Sequence, residues 1–364
     1  MSAVRVLQVL GYSTGGISRH VAQVTEALDG RDFAVDVAGP ADLPLKMPVP
    51  VQPVTIPAGP LRGHRDAVGM LRAIVAGGRY DVVHAHGLRA GIDAALAARG
   101  RCPVLLTVHN LVHPEVAGRA KYLAYRRAES LAVGLTAHTF AVSADIARHL
   151  RKARVARGKV EVLYLGIGDA PQVRRERAAV RAELGLAEDE RLVVTASRLA
   201  PQKALPVMLE ALAALPTPPV LAVLGTGPQE EELRRAAATL GVADRIRWLG
   251  FRPDVADYIA AGDVFCLSSV WEGVPLAAQE AILLGVPVVA TAVGGMPELV
   301  EDAVTGRLVP PRDPGALAAA LRQVLESEAL RKTFADGARA SLQHRFSTER
   351  MLARLGAEYR ERAR

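Results

Sequence analysis

The stretch from Asp263 to Glu298, DVFCLSSVWEGVPLAAQEAILLGVPVVATAVGGMPE, narrows the fold more than any other part of the chain. Two short aliphatic runs, 264–268 and 287–291, have the composition of strands buried on both faces. Between them a helical run over 275–284 ends at Gly285. Strands joined in this way are parallel, because a parallel pair needs a crossover of about a dozen residues or more. A chain built from such units forms an open α/β sheet with helices on its faces.

Proline at the first helical position and glycine just past the end set the helix limits, since one lacks a donor it does not need and the other accepts positive φ. The loop Trp271-Glu272-Gly273-Val274 therefore opens at a helix N-terminus, where free amides and the dipole favour an anion such as phosphate. Glu272 lies in that loop and Glu280 five residues into the helix. About 7–8 Å of helical rise plus the loop separates the two carboxylates. Neither can ligand a phosphate, but both can accept hydrogen bonds from sugar or ribose hydroxyls on either side of one.

The ordered set Glu272-Gly273-Val274-Pro275, Glu280 and Gly294-Gly295-Met296-Pro297-Glu298 resembles the signature of family-4 glycosyltransferases of the GT-B fold. The resemblance implies two Rossmann-like, doubly wound α/β domains facing across a cleft, and a nucleotide-sugar donor. It places the donor against Gly273, Val274, Pro275, Leu276, Glu280, Gly294 and Gly295. It also implies transfer with retention of anomeric configuration and no obligatory enzyme nucleophile, with Glu272 positioning the donor sugar.

A strand over 191–195 runs into Ser197-Arg198-Leu199-Ala200-Pro201-Gln202-Lys203. Arg198 brings a planar fork and Lys203 a point charge, a pairing suited to a leaving diphosphate. In the resembled family an Arg-x4-Lys pair does this work; its usual following glycine is Ala204 here. Gly225-Thr226-Gly227-Pro228 reads mainly as a turn, and by resemblance the segment near Phe251-Arg252 covers the nucleotide base.

The N-terminal half opens with a strand over 4–10, a glycine-containing loop and a helix reaching Leu28. No Gly-Lys-Ser/Thr follows and the third glycine of a dinucleotide fingerprint is missing, so the loop is neither a P-loop nor a dinucleotide site. The resemblance sets Gly15 and Gly16 opposite the donor. Seven prolines between 40 and 60 predict an extended connection with one strand near 54–56.

A strand over 81–85 ends in His84-Ala85-His86-Gly87, and residues two apart on a strand share a face. With His109 and His113 these could chelate a metal, but no acidic or cysteine partner stands nearby and a polar lining explains them better; no metal site is assigned. The strand 104–108 sets His109 at the carboxyl edge of the sheet, where open α/β sheets bind ligands. By resemblance His109 reaches the donor sugar or the acceptor.

The chain has 364 residues and a net charge of +7, enough for two domains and favouring anionic partners. The domains are predicted at 1–168, completed by a helix over 347–364, on the acceptor side, and at 172–346 for the donor. Basic residues along 119–127 and 148–159 read either as solvated faces or as attraction to an anionic membrane surface. Without interleaved aromatics or a reading module they do not point to nucleic acid. Cys102 and Cys266 read as buried thiols, and no 18-residue apolar run or leader pattern occurs, which predicts a cytoplasmic protein, with peripheral contact at the inner membrane face as the alternative if the basic segments meet lipid.

The function expected is a retaining glycosyltransferase with a hydroxyl acceptor in cell-envelope glycan or glycolipid synthesis, a small-molecule acceptor being compatible. Its catalytic residues are His109, Arg198, Lys203 and Glu272. No cofactor is required; a UDP-sugar is favoured as donor and GDP-mannose is compatible. A nucleotide-sugar 2-epimerase and a silent nucleotide-sugar-binding protein are the alternatives.

Overall fold

The structure is a computed structural model that describes residues 3–13, 15–30, 32–57, 59, 62–111, 118–153 and 158–363. It divides into two compact units, Met1–Gly166 with Phe346–Arg364, and Ile167–Arg345.

The first unit is built on a seven-stranded sheet of β1 (Val4–Leu10), β2 (Phe33–Gly39), β3 (Val51–Pro53), β4 (Val82–His86), β5 (Val104–Val108), β6 (His138–Ala141) and β7 (Val160–Val162), in the order β3-β2-β1-β4-β5-β6-β7. All its pairs are parallel. Side chains alternate between two apolar layers. Leu7, Val9 and Val83 pack against the helices His64–Gly78 and Leu88–Ala98, whereas Val6, Val82 and Leu105 pack against the last helix, Thr348–Arg362, through Met351, Leu355 and Tyr359. Covered on both faces, β4 and β5 are buried at every residue, so His84, His86 and Thr107 are buried with the aliphatic side chains around them.

The strand expected near 54–56 lies instead at Val51–Pro53. It is the edge strand, the one place where Pro53 need not donate to a ladder. Val54 and Ile56 are buried all the same, as core residues of the connection that follows.

The second unit repeats the plan with β8 (Leu192–Ala196), β9 (Val220–Leu224), β10 (Ile246–Gly250), β11 (Val264–Leu267), β12 (Val288–Thr291) and β13 (Arg307–Val309), ordered β10-β9-β8-β11-β12-β13 and parallel throughout. Strand order reverses between β1 and β4 in one sheet and between β8 and β11 in the other. The loops leaving those strands diverge, so a crevice opens at their carboxyl ends.

Two helix limits differ from the reading of the sequence. The helix after β11 spans Leu276–Leu283, so Pro275 is its N-cap, with φ −72° and ψ 118°, and not its first helical residue. Its far end closes as expected on Gly285 at φ 75°: Gly285 N–H donates to Ile282 O at 3.1 Å and Val286 N–H to Ala281 O at 2.9 Å. The first helix of the second unit covers only Arg177–Glu183, because the preceding chain is pinned by Arg174 N–H donating to the Asp257 carboxylate at 2.7 Å.

Candidate active site

In the second unit the loops after β8 and β11 are neighbours, since those strands are hydrogen-bonded to each other. Polar contacts stitch them together. Ser268 Oγ donates to the carbonyls of Lys203 (2.9 Å) and Ala204 (3.1 Å), Gln202 Nε2 to the Trp271 carbonyl (3.0 Å), and Val270 N–H to the Gln202 carbonyl (2.9 Å). The result is one surface made by two segments about 70 residues apart in sequence, a separation no spacing rule in the sequence connects.

On that surface Lys203 Nζ donates to Glu272 Oε1 at 2.6 Å, and Ser269 Oγ donates to the same oxygen at 2.5 Å. Glu272 is buried, and its Oε2 accepts no bond among the described residues. Lys203 has three protons and uses one here. Arg198, on the same loop, is exposed and forms no ion pair among the described residues. No side chain caps the helix Leu276–Leu283, so the amides after Pro275 are uncapped beside this cluster. Glu280 is partly buried on that helix.

The glycines of the turn after β12 are required by contact. A Cβ on Gly294, which sits at φ 55°, would stand 1.9 Å from the Glu272 carbonyl oxygen. Gly295 N–H donates to the Gly273 carbonyl at 2.7 Å, and a Cβ there would lie 2.5 Å from that oxygen. The turn therefore braces the Glu272-Gly273 peptide. Gly225 and Gly227 do the same for the loop of Arg198: a Cβ would meet the Ser197 carbonyl at 2.0 Å and the Leu199 carbonyl at 2.2 Å. The sequence reads these two mainly as a turn, although glycines directly after a strand are the signal for such close approach.

In the first unit Gly15 and Gly16 form the entry to the helix Gly16–Leu28 after β1. A methyl group at Gly15 would meet no described atom within 4 Å, so close packing does not demand glycine there. His109 follows β5 and is buried beside His20, His84 and His86, with the His86 and His109 rings 5.4 Å apart between centroids. Burial holds His20 at about 4 and His84 at about 3, and it pushes His86 and His109 well below the ordinary imidazole value. His84, His86 and His109 bond to one another or to neighbours rather than converging on a point, and His20 packs edge-on against His86 and His109. Among the described residues no group of three or more metal-ligating side chains is arranged to hold a metal ion, and His113 lies outside those residues.

The basic segments are largely tied to the protein itself. Arg126 bonds Glu129 at 2.9 Å and also contacts His149, Arg148 pairs with Asp145 at 3.5 Å, Arg151 donates to the Val160 carbonyl at 2.9 Å, and Lys159 to that of Thr136 at 3.2 Å. Lys121 and Arg127 are exposed, and the exposed Leu123, Leu131 and Leu135 lie on the same helix, Arg119–Leu135. Arg154 and Arg157 lie outside the described residues. Cys102 is only partly covered, against the expectation that both thiols are buried, while Cys266 is buried; both are free. No described helix is long and apolar enough to cross a membrane.

Residues 176–341 match the family described as glycosyl transferases group 1, and residues 14–170 match glycosyltransferase family 4. A D-inositol 3-phosphate glycosyltransferase of Geodermatophilus obscurus is 34% identical over 95% of this chain and 84% of its own length. Its counterpart in Mycolicibacterium smegmatis is 32% identical over 86% of this chain and 79% of its own. Among solved structures, Anabaena HepE in complex with UDP superposes with a TM-score of 0.84 at 24% identity, covering 98% of this chain and 100% of that one. Sucrose-phosphate synthase from Thermosynechococcus elongatus gives 0.83 at 24% identity, covering 98% of each. With the paired parallel sheets and the motif order from Arg198 to Glu298, these matches identify the chain as a member of the family-4 glycosyltransferases of the GT-B fold.

Proposed function

We propose that this glycosyltransferase takes its sugar from a UDP-sugar and transfers it to a hydroxyl acceptor with retention, without a metal ion. The observation that carries the reading is the Lys203–Glu272 pair at the switch point of the second sheet, with exposed Arg198 on the same loop. Arg198, the remaining protons of Lys203 and the amides at the start of the helix Leu276–Leu283 neutralise the diphosphate. Glu272 Oε2 accepts from a donor-sugar hydroxyl, and Glu280 from the ribose. The bond from C1 to the diphosphate oxygen breaks, the bond from C1 to the acceptor oxygen forms on the same face, and the acceptor proton passes to the leaving diphosphate.

UDP is favoured over GDP because HepE was solved with UDP and, in another crystal, with UDP-glucose. For the acceptor, the relatives named for D-inositol 3-phosphate favour a small phosphorylated polyol as much as the envelope glycan or glycolipid read from the basic helices. Exposed Leu123, Leu131 and Leu135 beside Lys121 and Arg127 keep contact with an anionic membrane as the second acceptor setting.

Calorimetric titration with UDP, GDP and ADP in EDTA tests the donor site. UDP is expected to bind, and to bind at least tenfold more weakly to Lys203→Ala and to Glu280→Ala. Absence of binding to all three, or dependence on added divalent metal, overturns this assignment. Acceptor screening then sets inositol phosphates against lipid-linked glycans in vesicles.

A further inference from the structure

His109 stands at one end of a hydrogen-bonded chain of six side chains inside the first unit. His109 Nε2 lies 3.2 Å from His86 Nδ1, and His86 Nε2 lies 2.7 Å from Gln8 Oε1. Gln8 Nε2 donates to Tyr359 Oη at 3.0 Å. Tyr359 Oη lies 2.6 Å from His84 Nδ1, and His84 Nε2 lies 2.7 Å from Thr107 Oγ1. All six side chains are buried. They come from β1, β4, β5, the residue after β5 and the last helix, so the chain exists only in the folded unit.

Its direction follows from counting protons. A neutral imidazole has one donor and one acceptor nitrogen, and burial keeps these rings neutral. Gln8 turns its amide nitrogen to Tyr359 and its carbonyl to His86. The carbonyl can only accept, so His86 donates from Nε2 and accepts at Nδ1, and the proton between the two rings belongs to His109 Nε2. On the other side Tyr359 accepts from the amide, donates its hydroxyl proton to His84 Nδ1, and leaves His84 to donate from Nε2 to Thr107. Turning the Gln8 amide over would reverse every bond in the chain. The amide is thus the element that sets the sense of the whole row.

We propose that Gln8, oriented by Tyr359, is a positioning residue that holds His109 as the Nε2–H tautomer and so offers Nδ1 as a hydrogen-bond acceptor for a substrate hydroxyl. This rests on the reading of His109 as facing the sugar or the acceptor. In that state His109 receives a bond from a polyol and does not act as a proton donor to the leaving group. The Nδ1 atom makes no bond to any described residue, whereas every other ring nitrogen of the row is used.

The test is a long-range proton–nitrogen correlation spectrum of the full-length protein labelled with 15N-histidine, with the His109 signals assigned by their loss in His109→Ala. Wild type is expected to show His109 protonated at Nε2. Tyr359→Phe keeps the shape of the helix packing but removes the oxygen that orients Gln8, so both His109 nitrogens should move toward the average of two tautomers. Gln8→Met should do the same more completely. A wild-type His109 protonated at Nδ1, or His109 shifts unchanged in Tyr359→Phe, overturns the proposal. Undiminished turnover of UDP-glucose by His109→Ala would instead remove the functional reading beneath it and leave the tautomer result standing.

Discussion

Ala204 occupies the left-handed region, with φ 44° and ψ 43°, at the joint between the Pro201–Lys203 turn and the helix Leu205–Ala213. A side chain there strains the backbone by about 1–2 kcal/mol, and glycine relieves this at the cost of some chain entropy. Ala204→Gly should therefore stabilise the second unit by about 0.5–1 kcal/mol. Urea unfolding followed by tryptophan fluorescence measures it, because Trp248 and Trp271 are the protein's two tryptophans and both lie in that unit. A lower midpoint would show that the turn needs its methyl group. Gly294→Ala is the opposite case. Its Cβ would meet the Glu272 carbonyl at 1.9 Å, so the turn and the glutamate move together. We expect at least a tenfold loss of UDP affinity with about 2 kcal/mol or more of destabilisation, and unchanged affinity would detach the turn from the site. The charged residues proposed for the site, Arg198, Lys203, Glu272 and Glu280, are read from the sequence because each falls in a short ordered motif. The partners that orient them are not. Nothing in the sequence links Gln8 to Tyr359, or Ser269 to the oxygen that Lys203 also holds, because those contacts depend on how the strands are ordered and not on spacing along the chain.

Elements were legible where punctuation is local. Gly285 ends its helix by a left-handed turn that only glycine adopts freely, whereas Pro275 suits both the N-cap and the first helical position, and the sequence cannot separate the two. One element carries its own pH dependence. His64 opens the helix His64–Gly78 and places Nδ1 2.8 Å from an Asp93 oxygen and Nε2 2.8 Å from the Gly59 carbonyl. Both neighbours are acceptors, so only the imidazolium satisfies both. Burial opposes the charge on His64, but the Gly59 carbonyl and the Asp93 carboxylate outweigh it and raise its pKa, while burial raises the Asp93 carboxyl. A raised histidine stabilises the folded state below its unfolded value of 6.5 and loses that contribution as pH rises through the folded value. Hydrogen exchange at Ala67, whose amide donates to the Gly63 carbonyl in the first helical turn, should report it. After correction for intrinsic rates, protection should fall between about pH 6 and pH 8 in wild type and stay level in Asp93→Asn. The same fall in both proteins would rule out the clamp.

At the scale of the whole molecule the two units share a sheet order but not a response to acid. Eight of the nine histidines lie in the first unit, and the four that cluster beside β4 and β5 are neutral when folded. Their folded values lie below 6.5, so between those values and 6.5 the unfolded chain binds more protons than the folded one, and stability falls as pH falls. The four act in the same direction, so acid weakens the first unit above the pH range in which carboxylates titrate. Glu358, buried on the last helix and held below its ordinary value by Arg354, Arg362 and His138 against its own desolvation, pulls in the same direction at lower pH. In the second unit the lowered carboxyls, Glu183, Glu190, Asp254 and Asp302, pair with arginines near the surface, and their contribution is lost only as pH falls through values below the ordinary carboxyl range. The two signals separate cleanly, since six of the seven tyrosines lie in the first unit and both tryptophans in the second. On acid titration from pH 7 the tyrosine near-ultraviolet dichroism should collapse between about pH 6 and pH 4 while tryptophan fluorescence still reports a folded second unit. Replacing His20 with leucine should shift the tyrosine transition to lower pH, because that ring has both nitrogens buried without a partner among the described residues and contributes one of the protons. Coincident tyrosine and tryptophan transitions in wild type would mean that acid acts on the chain as one cooperative body and not through the histidine row.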